Sequence, residues 1–104
     1  MDHITQFVMG RVKGQRRRVG IMVGRIDGKG VVRLGWSRAN FSAGDTFDPE
    51  HGLGIAMDRT LAHEFVPAPH SMISDLHRFQ DRCVRYFKGH KGMSKVSVQN
   101  REEK

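Results

Sequence analysis

The strongest constraint in this chain is a pair of apolar, β-branched runs separated by four turn-forming residues. Val19-Gly20-Ile21-Met22-Val23-Gly24-Arg25-Ile26 is followed by Asp27-Gly28-Lys29-Gly30, and then by Val31-Val32-Arg33-Leu34-Gly35-Trp36-Ser37. An Asp-Gly pair between two such runs signals a hairpin, because a type I′ turn needs positive φ at both central residues. At strand spacing Val19, Ile21 and Val23 share one face of the first run, and Met22 and Ile26 the other. In the second run Val32, Leu34 and Trp36 alternate with Val31, Arg33, Gly35 and Ser37, the pattern of one dry and one wet face. Residues 4–12 supply a third strand, and residues 14–18 read as an exposed connection or the frayed start of the hairpin. Two strands alone are marginal in water, so the rest of the chain has to cover them.

Two helical segments can do so. Asp48-Pro49-Glu50 is a helix start: Asp48 accepts from free N–H groups, Pro49 suits the first helical position, and Glu50 faces the positive dipole end. Leu53, Ala56, Met57 and Leu61 then fall on one stripe, and the helix is expected to end near His63. In the last element Met72, Leu76, Phe79, Cys83, Tyr86 and Phe87 recur at three- and four-residue steps, with Ser71 as cap and Gly89 as the left-handed stop. The expected fold class is α+β: an antiparallel β-hairpin or three-stranded meander followed by two helices packed on one face. Residues 1–89 make a single domain and residues 90–104 a disordered basic and polar tail.

Size and composition limit what such a domain can do. With 104 residues, 38% of them apolar, the chain buries only about 60–65% of its unfolded surface, too little for a large enzyme around an internal cofactor. No stretch approaches the roughly 20 apolar residues of a membrane span. Residues 1–20 lack the apolar core of a signal peptide, and the single Cys83 has no partner for an internal disulfide. The expectation is a cytoplasmic protein with no membrane contact.

Charge is the most informative functional signal. Residues 1–40 carry net +7, residues 41–75 net −5 and residues 76–104 net +5, within a total of +7. Arg outnumbers Lys by twelve to six, which favours planar bidentate contacts. Arg11, Lys13, Arg16, Arg17 and Arg18 lie close together, and Arg25, Lys29, Arg33 and Arg38 continue along the hairpin. Arg78, Arg82 and Arg85 follow one face of the last helix. Such clusters are the electrostatic footprint of phosphate recognition. Three adjacent arginines repel one another and call for a counter-charge, whereas the helix trio has an ordinary reading as a solvated face with an Asp81–Arg85 pair. The candidate binding residues are therefore Arg16, Arg17, Arg18, Arg33, Arg38, Arg78, Arg82 and Arg85. Trp36 and Tyr86 are the candidate stacking platforms, in competition with roles in the core.

Other constellations are weaker. The glycines around Asp27 lack the Gly-Lys-Ser/Thr and the following helix of a phosphate loop. Asp45, Asp48, Glu50 and Asp58 with His51 form an acidic patch, but Asp48 and Glu50 have a capping role and Asp58 lies two turns on, so a small metal-dependent nuclease ranks last. His63, His70 and His77 do not match a zinc spacing. Cys83 sits on an apolar stripe, as a core thiol does. No catalytic residue, metal or cofactor is called for.

The succession Val19-Gly20-Ile21-Met22-Val23, Leu34-Gly35-Trp36-Ser37, Phe47-Asp48, Gly52-Leu53-x-Ile55-Ala56-x-x-Arg59 and Val66-Pro67 before an aromatic-rich helix resembles small uncharacterised accessory proteins of tailed bacteriophages, over residues 18–88. The resemblance implies a protein made in the infected cell that acts stoichiometrically in host takeover or counter-defence, as an inhibitor or binding protein. The expected partner is a nucleic acid, a nucleotide signal or an acidic host defence protein. General DNA or RNA binding in phage nucleic-acid metabolism is the alternative. The small core, open hairpin edges and alternating charge also favour a homodimer.

Overall fold

The computed structural model describes residues 3–41, 44, 46–90 and 96–98. Strands β1 (His3–Val12), β2 (Gln15–Ile26) and β3 (Val31–Arg38) form an antiparallel meander. A short β4 (Ser97–Val98) pairs in parallel with Val31 and Val32, completing the sheet order β1-β2-β3-β4. Helix α1 spans Pro49–Thr60, and a 3-10 turn at His70–Met72 leads into helix α2, Ile73–His90. The α+β class, meander then two helices, is as the sequence predicts. Among the described residues no helix is long and apolar enough to cross a membrane.

The helices do not share a face, which corrects the expected packing. In the β2–β3 register Gly24 opposes Leu34 and Val23 opposes Gly35, so the two glycines lie on opposite faces. A Cβ on Gly24 would strike the Cys83 sulfur of α2, and one on Gly35 would strike the Ala56 carbonyl of α1. Helix α2 thus buries Met22, Val32, Leu34 and Trp36 beneath Leu76, Phe79, Cys83 and Phe87. Helix α1 closes on Ile21 and Val23 through Ala56. The face of β3 that alternation marks as wet is dry at Gly35 and Ser37, which are small enough for a helix backbone to sit directly on them, while Val31 and Arg33 on the same face stay half-exposed. The buried stripe of α1 is accordingly Gly52, Ala56 and Thr60, while Leu61, expected inside, is 63% exposed.

Two turns exchange roles. The two-residue turn with positive φ at both positions is Lys13-Gly14 (φ 52° and 79°), which joins β1 to β2. At Asp27 only Gly30 is left-handed, and the Gly30 N–H donates to the Asp27 carbonyl. The Asp27 carboxylate accepts from the N–H groups of Lys29 and Val31, which fixes a longer loop than a two-residue turn. Asp48 caps α1 as expected, accepting from the N–H groups of Glu50 and His51. Ser71 does not cap α2, whose entry is the 3-10 turn, and Gly89 lies inside the helix with no positive φ. Within residues 90–104, His90 ends α2 and the Ser97 N–H donates to the Gly30 carbonyl. Most of the expected tail, and Asp45, lie outside the described residues.

Candidate functional site

The site grows from an asymmetry in strand length. β3 reaches only Arg38, opposite Gly20, so residues 15–18 of β2 have β1 alone for a ladder partner. Residues 9–12 and 15–18, closed by Lys13-Gly14, form a two-stranded arm beyond the body of the sheet. At its base the register slips between Val8 and Met9, leaving Val19 as an extra residue on β2. A bulge there sharpens the twist and re-aims the ribbon.

The arm carries Arg11, Lys13, Arg16, Arg17 and Arg18, all exposed, and the sequence holds no acidic residue between His3 and Ile26. Arg11 stands directly opposite Arg16 in the ladder, a like-charge pairing that weakens a sheet. Their hydrogen bonds do not neutralise them: Arg11 donates to the Gly14 carbonyl and Arg17 to the Gln15 side chain. Arg18 lies 4.1 Å over the Phe7 ring, which in turn meets Phe47 edge-on at 6.1 Å. Among the described residues no carboxylate pairs with any of these four arginines.

Two adjoining clefts open beside the arm. One, of about 960 Å³, runs between Arg11, Lys13, Arg38, Arg59 and the first turn of α1 at Asp48 and His51. The other, of about 860 Å³, is walled by Lys13 and Arg16, Arg17 and Arg18 on the arm side and by Phe41, Phe47 and Pro49 opposite. They share Val12, Lys13, Phe41, Thr46 and Phe47. Among the described residues that line the clefts, the arginines and Lys13 far outnumber the one carboxylate, Asp48, which is already engaged by two N–H groups.

The single patch expected from eight arginines therefore shrinks to Arg16, Arg17, Arg18 and Arg38. Arg33 sits five residues from Arg38, about 16 Å along the strand, and its Nε donates to Asp27 at 3.0 Å. Burial pushes the Asp27 carboxyl up, but the N–H groups of Val31 and Lys29 and the Arg33 guanidinium outweigh it and hold it below the ordinary value. Arg78 is paired with Asp75 at 2.7 Å and bonded to Ser74. Arg82 donates to Gln6 of β1 at 2.8 Å, and Arg85 is exposed on α2. None of these three lines either cleft. The helix arginines miss the patch because α2 lies over the body of the sheet, where Arg82 meets Gln6 and Cys83 meets Gly24, and not beside the arm.

The stacking platforms are also occupied. Trp36 is 9% exposed, with its Nε1 donating to the Val66 carbonyl and the Arg59 guanidinium 4.0 Å over its ring. Tyr86 is half-buried against the edge of Phe87. Trp36 nevertheless lines the larger cleft, where Phe41 and Phe47 are the other aromatic residues. Nothing local in the sequence shows that Phe41 and Phe47, after β3, come to lie beside the arm. Arg59, present in the sequence only as part of the resemblance pattern, also lines the larger cleft. It is half-buried and donates to the Trp36 carbonyl at 2.8 Å, so it both shapes the cleft and braces β3. Arg25, counted with the basic run, is 8% exposed and spent on Thr60 at the end of α1.

Among the described residues no three His, Cys, Asp or Glu side chains converge as metal ligands do. Cys83 is fully buried, and burial pushes its thiol up to about 12 against the opposing pull of Arg82. Comparison with protein-family models, with curated proteins and with solved structures finds no match.

Proposed function

We propose that this chain is a stoichiometric binding protein whose basic arm and adjoining clefts take a phosphate-bearing ligand, a nucleic acid or nucleotide. The observation that carries the reading is the arm itself. It concentrates five cations on ten residues, sets two of them face to face, and provides no carboxylate to offset them. The like-charge crowding costs the fold more than the Arg18–Phe7 contact returns, so an external anion is the natural partner. Arg supplies the bidentate geometry that phosphate accepts. The resemblance to phage accessory proteins supports a setting in the cytoplasm of an infected cell, in host takeover or counter-defence.

Titration of a fluorescent mixed-sequence oligonucleotide tests the reading. With about five cations engaged, affinity should fall roughly 10²–10³-fold between about 50 and 200 mM salt. Replacing Arg16, Arg17 and Arg18 together by Ala should abolish most of the binding. An affinity indifferent to salt, or to that triple substitution, counts against it.

A further inference from the structure

The shape of the arm says more than its charge. It is a ribbon of two antiparallel strands, four residue pairs long from Met9–Arg18 to Val12–Gln15, and about 13 Å from base to turn. Its two strands lie about 5 Å apart. The turn at its tip is tight, formed by Lys13-Gly14 alone, with Phe41, Thr46 and Phe47 beside it only across the clefts. The DNA major groove is about 12 Å wide and 8.5 Å deep, and it admits a two-stranded β-ribbon.

We infer that the arm inserts into the major groove of duplex DNA, a proposal that rests on the phosphate-binding reading above and specifies its ligand. The distribution of cations fits this entry. Arg11, Arg16 and Arg18 lie on one face of the ribbon and Arg17 on the other, because their ladder partners are Arg16, Arg11, Met9 and Gly10 respectively. A ribbon that enters a groove tip-first turns its two faces to the two phosphate backbones, and one charged on both faces meets both. Lys13 at the tip points its charge to the groove floor or the far backbone, while Arg38, in the cleft at the base, reaches the near phosphates. Arg18 is the least free of the set, held over Phe7, and braces the base of the arm.

A nucleotide or a single strand would use the clefts and leave the ribbon's projection without purpose. Duplex RNA offers the same phosphates, but its major groove is deep and narrow, closed to side chains. The same charge therefore carries different expectations for the three nucleic acids.

The decisive experiment is anisotropy titration of the full chain against a duplex DNA of roughly two helical turns, the corresponding single strand, and the corresponding duplex RNA. Duplex DNA should bind at least about tenfold more tightly than the other two, since only it has a groove the ribbon fits. Bulky substituents at the pyrimidine C5 position, which project into the major groove, should weaken duplex binding about tenfold or more. A ligand filling the minor groove should leave it unchanged. The double substitution Arg16→Gln/Arg17→Gln, at exposed positions, should remove the duplex preference while circular dichroism stays that of the parent. Equal, salt-steep binding to all three nucleic acids, or indifference to the C5 substituents, overturns groove insertion and leaves the phosphate-binding reading standing. Absence of binding to any of them overturns both.

Discussion

Strand β2 divides into two halves that obey different rules. Residues 15–18 are exposed, lean on β1 alone and carry three consecutive arginines. Residues 19–25 are buried on both faces, between α1 and α2, and include a fourth arginine. Arg25 shows what the fold does with a guanidinium that it needs. Its Nε donates to the Thr60 hydroxyl at 3.1 Å and its Nη2 to the Thr60 carbonyl at 3.0 Å. That places the cation at the negative end of the α1 dipole. Arg16 has no such partner among the described residues. The contrast teaches that identical side chains on one strand serve structure where burial forces partners on them, and remain available where it does not.

The comparison breaks if the body tolerates change as readily as the arm. The largest effect is expected at Gly35, where a Cβ meets the Ala56 backbone and no side-chain rotation can make room. Gly35→Ala should cost about 3 kcal/mol in denaturant unfolding, at the upper end for overpacked cores. Thr60→Val keeps the shape of a fully buried side chain but removes the acceptor of the Arg25 Nε, and should cost about 2 kcal/mol. A cost near zero for either would mean that α1 is loosely docked.

Smaller effects sharpen the contrast through pH. The buried Cys83 thiol is raised from 9.0 to about 12, so its contribution to stability is full below about pH 9 and is lost as pH rises toward 12. Urea midpoints of the parent should decline across that window more steeply than those of Cys83→Ala, and thiol reagents should label Cys83 only on unfolding. Asp27 has the opposite sign. Its carboxyl is held below the ordinary value, so the stability it lends is present above that value and is lost as pH falls through the lower folded one. Asp27→Asn should cost less than about 1 kcal/mol and flatten the acid limb of the stability profile. Smallest of all, Arg17→Ala should change stability by no more than about 0.5 kcal/mol in either direction. A large loss there would show that the arm is built for the fold.

Much of the architecture was legible locally. The period-2 runs located β2 and β3, Asp48-Pro49-Glu50 located the start of α1, and the three- and four-residue steps from Met72 to Phe87 located α2 and its buried side. Less was legible at the turns. Asp27-Gly28 carries the usual hairpin signature, but the Asp27 carboxylate can cap two N–H groups and so stabilises a longer loop, leaving the two-residue turn to Lys13-Gly14. The candidate site was half legible. The run from Arg11 to Arg18 is contiguous and cannot be dispersed by folding, whereas Arg82 found in Gln6 a partner that only the folded chain brings near, and Arg33 and Arg78 are taken by local ones, Asp27 across the hairpin loop and Asp75 one helical turn back.

Periodicity and capping are properties of neighbours in the chain, and they sufficed to specify the strands, the helices and one concentrated block of positive charge. Which side of the sheet each helix takes was decided only in three dimensions. Gly24 and Gly35 give no apolar signal, yet each leaves the space into which a helix settles. That choice, in turn, held the arginines of α2 away from those of the arm, because a helix settles where small residues leave it room and Gly24 lies in the body of β2, beyond the reach of the clefts.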